Sequence, residues 1–372
     1  MQDICYCFTD SQGSYYRNAV ASIISVFEHA SQPVTAHVIS DETLTESNKK
    51  DFTNVAERYG HTILFYSLKQ EIDPAIRENV SKLFGVGSLY GLFIPELIPE
   101  DKVLTLDCDV LATLVVGELF RIPLDEACLA AVLDGADDER IHNDICANGM
   151  DPAYYVNSGV LLMNTKLMRE KFPQFKQAVL SMVSEKKMMF PDQHAINSFF
   201  PFRRWLEGTT ANDGESDAKI VSIFLEGHEA ASTPASGTGE PTQGTILVLP
   251  AKFNYRLSFI ENSYQPLYAY EGKLVHFTGD KPWKALYPGA LLYWKYYCRY
   301  FPAADAFAVI EKQKLHELTP MFHYMVRERS ARRLFNRCYQ ISKQGVFETI
   351  LDRIFPARRK KKRLNNDLDE FL

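Results

Sequence analysis

Short apolar runs alternate with segments of helical period along the first part of the chain. DICYCFTD (3–10) is an apolar run that breaks into a polar turn, and SYYRNAVASIISVFEHA (14–30) repeats its apolar residues at i, i+3 and i+4, the spacing of an amphipathic helix. The pair then recurs. VTAHVIS (34–40) is a second strand ending at Ser40 and Asp41, TLTESNKKDFTNVAERYG (43–60) is a polar-faced helix stopped by Gly60, and HTILFYSL (61–68) is a third strand. Strands alternating with helices predict an α/β fold with a mostly parallel sheet, and such sheets bind ligands beyond the carboxyl ends of their strands. DKVLTLDCDV (101–110) continues the series and ends in two acids, Asp107 and Asp109. They are therefore expected at the ligand crevice.

Composition narrows the classes. With 372 residues, 46% of them hydrophobic, the chain can bury a substantial core, so a globular domain with a smaller appendage is expected. A net charge of −6 argues against a general nucleic-acid binder. The seven cysteines are odd in number, scattered and without a CxxC pair, which fits free thiols in a reducing compartment. The N-terminus enters a strand almost at once, with neither a basic leader nor a long apolar run. A cytoplasmic location is the expectation.

An Asp-x-Asp pair after a strand is by itself an ordinary solvated turn or helix cap. Other segments change its weight. AAVLDGAD carries Asp134 at the end of its apolar run, YVNSGVLLMN places Asn157, Ser158 and Gly159 before an apolar run, FPDQHAIN carries Asp192 and Gln193, and LVHFTGDKPW carries His276, Gly279 and Lys281 beside Trp283. Taken in this order and at these separations, from about residue 3 to residue 285, the segments resemble glycosyltransferase family 8. These are retaining, nucleotide-sugar-dependent transferases that include bacterial lipooligosaccharide galactosyltransferases and glycogenin.

The resemblance implies a single Rossmann-like, nucleotide-sugar-binding domain of the GT-A type over residues 1–285. It implies that Asp107, Cys108 and Asp109 form the DXD segment at the donor, with Asp107, Asp109 and His276 as ligands of Mn2+ or Mg2+. Carboxylates suit a hard divalent cation facing a diphosphate, and an added imidazole favours manganese over calcium. Gly279 and Lys281 would face the phosphates, Lys281 as a second cation. Asp192 would hold donor hydroxyls, Gln193 would face the reacting carbon, and Asp134, Asn157 and Ser158 would complete the sugar pocket. Cys7, Phe8, Thr9 and Gln12 match the positions that cradle uracil and ribose. Local readings remain for several of these: Asp192 as a helix N-cap after Pro191, Gly279 as a plain turn glycine, and Trp283 as a packing residue that fixes its loop.

Three departures stand out. Thr9 occupies a position where the family commonly has an acid, which leaves Asp10, one residue later, as a substitute. SLYGLFIPELIPEDKVL has Leu92 where the family's Tyr-x-Arg-Leu places an arginine near the diphosphate, and the glycine-to-lysine spacing in HFTGDKPW is one residue short. Residues 208–246, with ASTPASGTGEPTQGT, read as a polar insertion between a helix and a strand.

Beyond residue 285 the chemistry gives way to charge. Residues 286–372 are expected to form a helical, basic extension. From Met321 to Arg363 there are 13 Lys and Arg against 3 acids, a local +10 that leaves −16 for the rest of the chain. Apolar residues interleave these cations, and each cation near anionic lipid contributes ~1 kcal/mol. The expected protein is thus a cytoplasmic, peripherally membrane-associated, metal-dependent retaining transferase. It would move glucose or galactose from a UDP-hexose donor to a glycan acceptor, carried on lipid or lipopolysaccharide. The alternative is a catalytically weak or inactive nucleotide- or glycan-binding module of the same fold. Removing residues 321–372 is expected to abolish cosedimentation with anionic liposomes; unchanged binding would rule out the membrane role of this segment.

Overall fold

In the computed structural model, the described residues are 1–68, 85–135, 138–185, 188–206, 244–257 and 265–303, with a few short pieces between and after these stretches. The opening strand β1 (Gln2–Cys7), helix α1 (Tyr16–Glu28), β2 (Val34–Ser40), α2 (Glu46–Tyr59) and β3 (Thr62–Ser67) follow the alternation of the sequence. Local signals set the bounds of α2. The Thr45 side chain accepts from Asn48 N at its start, and Gly60, at φ 71°, turns the chain out of the helix at its end.

Further strands are β4 (Val103–Leu106), β5 (Val110–Ala112), β6 (Ala127–Ala131), β7 (Val160–Met163), β8 (Phe202–Trp205), β9 (Val221–Ser222), β10 (Thr245–Val248), β11 (Tyr255–Arg256) and β12 (Leu274–His276). A nine-stranded sheet has the order β3-β2-β1-β4-β7-β6-β10-β8-β9, and β11-β12-β5 form a second, three-stranded sheet. The large sheet is mostly parallel. β7 runs antiparallel to both of its neighbours, β4 and β6, and β9 runs antiparallel to β8.

Alternation along the strands explains how the sheet is held. Ile4, Tyr6 and Phe8 of the first strand and its exit, with Ala36, Val38, Leu104, Leu106 and Leu162, enter one buried cluster. Cys5, Ile39, Val103, Leu129, Leu161 and Met163 enter the cluster on the other face. A sheet covered on both faces needs near-continuous apolar strands, and that is how these runs read.

The insertion expected between a helix and a strand instead leaves the end of β8 and returns at β10; most of residues 208–246 lie outside the described residues. The expected basic extension is likewise outside them for residues 321–363. Its first stretch is part of the main core. The helix Ala290–Tyr297 packs on α1, with Tyr293 Oη donating to Asn18 Oδ1 at 2.6 Å and Tyr296 Oη to the Ala112 carbonyl at 3.2 Å. Among the described residues, no helix is long and apolar enough to cross a membrane.

Arg203 of β8 is fully buried. It donates to the carbonyls of Tyr154 (2.8 Å) and Phe202 (3.1 Å) and to Asn197 Oδ1 (2.6 Å), and burial lowers its guanidinium to about 9. Asn197 in turn accepts from Val156 N (2.9 Å) and donates to the Gln193 carbonyl (2.8 Å). One cation thereby pins the helix Pro191–Phe199 to the segment entering β7. Arg203→Ala would remove these hydrogen bonds and empty a fully buried site, and is expected to lower unfolding stability by about 3 kcal/mol or more in urea titrations.

Candidate active site

Parallel β1, β4 and β6 end on one edge of the sheet, and antiparallel β7 begins on that same edge. Asp107 leaves β4 there, Asp134 follows β6, and Asn157-Ser158-Gly159 precede β7. The main chain joins two of these segments, Asp107 N donating to the Gly159 carbonyl at 2.9 Å. After Asp107 a tight turn, closed by Val110 N to the Asp107 carbonyl at 3.0 Å, leads into β5. There β12 pairs antiparallel, with His276 opposite Val110. This register delivers the imidazole to the two acids.

His276 Nε2 lies 3.3 Å from Asp109 Oδ1 and 3.6 Å from Asp107 Oδ2, and one donor atom of each residue lies within 4.8 Å of the others. Lys281 Nζ sits on the other oxygen, Asp109 Oδ2, at 2.6 Å, and also donates to the Phe277 carbonyl at 2.7 Å. Gly159 makes room for this convergence. A Cβ there would lie 2.2 Å from His276 Cε1 and 2.8 Å from Asp107 Oδ2.

Burial alone would raise Asp109, but Lys281 and His276 outweigh it and hold the carboxyl well below the usual range. Asp107 moves the opposite way, pushed up by burial and then by the charge of Asp109. Its side chain is 55% exposed, so crevice solvent tempers that rise. Two carboxylate oxygens and a ring nitrogen at these separations fit a hard divalent cation, with Asp107 on the open side. A second donor group, Asp3, His37 and Glu100, lies elsewhere. There His37 meets Asp3 at 3.3 Å and the Tyr66 hydroxyl at 3.0 Å, a buried polar network.

Across the crevice, Asp134 is the hub. Its Oδ2 accepts from Asn157 Nδ2 (2.8 Å) and Gln193 Nε2 (3.1 Å), and its Oδ1 meets Arg256 at 2.7 Å. Ser158 N donates to Gln193 Oε1 (2.9 Å) and Ser158 Oγ to Asp192 Oδ2 (2.9 Å). Asp192 lies inside the first turn of its helix, whose N-cap is Phe190 without a side-chain cap. Its partner is the Ser158 hydroxyl, so it does not act as the N-cap. Burial pushes Asp192 up, against that hydrogen bond.

Other expected residues fall differently. Cys108 is buried in the core and offers no side chain to the crevice. Phe8 is also buried, its ring 6.3 Å from Phe52 and 6.2 Å from Tyr15, so only its backbone is left for a ligand. Cys7 is half-buried, with its sulfur 3.8 Å from Cys5. Thr9 is half-buried, Gln12 is exposed and Gly279 is half-buried. Asp10 does not stand in for the missing acid. It is buried and accepts from Tyr15 N (2.7 Å) and Asn48 Nδ2 (2.9 Å), holding the start of α1. Leu92 is packed in the second core cluster. Trp283 stacks edge-on to Tyr15 at 6.0 Å and lies 5.6 Å from Tyr293, as expected of a residue that fixes its loop.

Two residues escaped the sequence reading, Asn254 and Arg256. Asn254 Oδ1 faces His276 Nδ1 at 2.9 Å, and its Nδ2 donates to Asn157 Oδ1 at 2.8 Å. Arg256 of β11 pairs in register with His276. The short run FNYR after VLPAK carries both, and polar residues set in an aromatic run were the available signal.

This mostly parallel α/β sheet, with its polar residues gathered on one edge, is the architecture of the GT-A glycosyltransferases. It matches the galactosyltransferase LgtC, solved with donor and acceptor sugar analogues, at a TM-score of 0.55 and 20% identity over 80% of this chain and 96% of that one. It also matches the bifunctional glycosyltransferase WbbM at a TM-score of 0.54 and 17% identity, over 84% of this chain but 51% of that one. In sequence it is similar to general stress protein A of Bacillus subtilis (23% identity, 55% of this chain, 72% of that protein) and to glycosyltransferase GlyD of Streptococcus pneumoniae (26% identity, 57% of this chain, 24% of that protein). The profile of glycosyl transferase family 8 matches residues 4–286. The chain belongs to that family and is a glycosyltransferase. Gly159→Ala is expected to displace His276 and Asp107, costing about 1–3 kcal/mol in denaturant unfolding.

Proposed function

We propose that the chain is a metal-dependent retaining hexosyltransferase that moves glucose or galactose from a UDP-hexose to a glycan acceptor, a lipid-linked surface polysaccharide or lipopolysaccharide. The observation that carries this reading is the convergence of Asp107, Asp109 and His276 beside Lys281, opposite Asp192 and Gln193. Asp107, Asp109 and His276 would hold Mn2+ or Mg2+, which supplies Lewis-acid stabilisation to the departing diphosphate. Lys281 holds Asp109 ionised and adds a positive charge on the same side. Asp134 and Asn157 hold sugar hydroxyls, and Asp192 does so from the helix opposite. Gln193, oriented by Ser158 N and Asp134, presents its amide to the reacting carbon, where charge develops in an oxocarbenium-like transition state.

Residues 7–12 offer mainly backbone and the Thr9 and Gln12 side chains to the base and ribose. Family membership and the likeness to a galactosyltransferase support the donor class. Residues 1–285 would form the transferase domain and residues 286–372 an extension, with its basic part on the inner face of the cytoplasmic membrane. A weak or inactive binding module is the second reading, favoured by Leu92, whose burial in the core leaves no cation at the position of the family's arginine.

Manganese-dependent hydrolysis across a panel of UDP-hexoses separates the two. The wild type is expected to turn over at least one donor, and Asp107→Ala/Asp109→Ala to lose about a hundredfold or more of that rate. No turnover with any donor, together with unchanged nucleotide binding in the double variant, would sink the enzyme reading.

A further inference from the structure

A continuous buried chain of side-chain hydrogen bonds runs from the sugar side of the crevice to the acid–histidine cluster, and its polarity is set at one end. Asp134 can only accept when ionised, so Asn157 must present Nδ2 to it (2.8 Å). That leaves Asn157 Oδ1 to accept from Gly159 N at 2.9 Å and from Asn254 Nδ2 at 2.8 Å. Asn254, 2% exposed, is then left with only its carbonyl oxygen for His276 Nδ1, 2.9 Å away. His276 must therefore carry a proton on Nδ1, which leaves Nε2, 3.3 Å from Asp109 Oδ1 and 3.6 Å from Asp107 Oδ2, as the ring nitrogen that can face a cation. Turning over either amide would set two acceptors against each other inside the protein, at a cost that buried unpaired polar groups rarely bear.

We propose that Asn254 is a positioning residue that couples the two halves of the site: it transmits the orientation set by Asp134 to His276 and holds the imidazole in the metal-binding tautomer. This rests on the metal-dependent transferase reading above, and extends it to a residue outside the expected ligand and substrate contacts. Donor hydroxyls that engage Asp134 and a cation that engages His276 would then bind with positive coupling, because each favours the same arrangement of one hydrogen-bonded chain. The two functions of the amide can be separated. Asn254→Asp keeps an acceptor for His276 Nδ1 but opposes an oxygen to Asn157 Oδ1, whereas Asn254→Ala removes both links.

The test uses the full chain, with Mn2+ binding followed by electron paramagnetic resonance and the binding of UDP and UDP-hexose by calorimetry, with and without Mn2+. Nitrogen-15 spectra of the histidines report the tautomer without metal. The wild type is expected to show a His276 protonated on Nδ1. Asn254→Ala is expected to lose that signature and to weaken Mn2+ binding about 10–100-fold. Asn254→Asp is expected to keep the tautomer, the Mn2+ affinity within about threefold and the gain in UDP affinity that Mn2+ produces through the diphosphate, yet to lose the extra gain that the hexose of UDP-hexose adds in the wild type. A residue that only supports the fold would lower both affinities together in both variants, and that result would overturn the proposal. So would a wild-type His276 protonated on Nε2 alone, or Mn2+ binding in Asn254→Ala equal to that of the wild type. A wild type that binds neither Mn2+ nor UDP-hexose would overturn the underlying reading as well, which distinguishes the two failures.

Discussion

The main-chain hydrogen bond from Asp107 to Gly159, at 2.9 Å, ties the exit of a parallel strand to the entry of an antiparallel one. Everything at the candidate site depends on that reversal. Had β7 run parallel to β4, Asn157, Ser158 and Gly159 would lie at the far end of the sheet, and Asp192 and Gln193 would lose their Ser158 partner. The absence of a side chain at Gly159 completes the arrangement, since a Cβ would stand 2.2 Å from the His276 ring.

Around this junction the charges are graded. Asp109 is enclosed by Lys281 and His276 and stays ionised, while Asp107 opens to the crevice and is pushed up by burial and by its neighbour. Like charges this close need compensating cations, and Lys281 and Arg256 each meet one of the acids. Arg256 meets Asp134 and Lys281 meets Asp109, so the crevice is not short of positive charge although Leu92 supplies none.

The departures from the family pattern have local physical causes. Leu92 packs into an apolar cluster beside Tyr90, whose hydroxyl donates to Asp41 at 2.9 Å, so this segment is organised around the core. Asp10 is already engaged at the start of α1.

Periodicity was enough for the alternating strands and helices of residues 2–67, because each element there satisfies its own backbone and shows its apolar face in the local sequence. The same holds for the acids after β4, which end an unmistakable buried strand. What the chain order could not reveal was the direction of β7, the departure of the 208–246 insertion from β8, and the burial of Cys108 and Phe8. Each depends on which neighbour a strand finds and which face it turns inward. Asn254 and Arg256 were hidden for the same reason. Their surroundings in sequence are an ordinary aromatic turn, and only the pairing of β11 with β12, and of β12 with β5, carries them to His276 and Asp134. By itself the sequence determined the class of fold, the family and most of the polar groups at the site. The tertiary structure alone decided which atoms of those groups face one another, because hydrogen-bond polarity and strand direction are set by contacts between residues far apart in the chain.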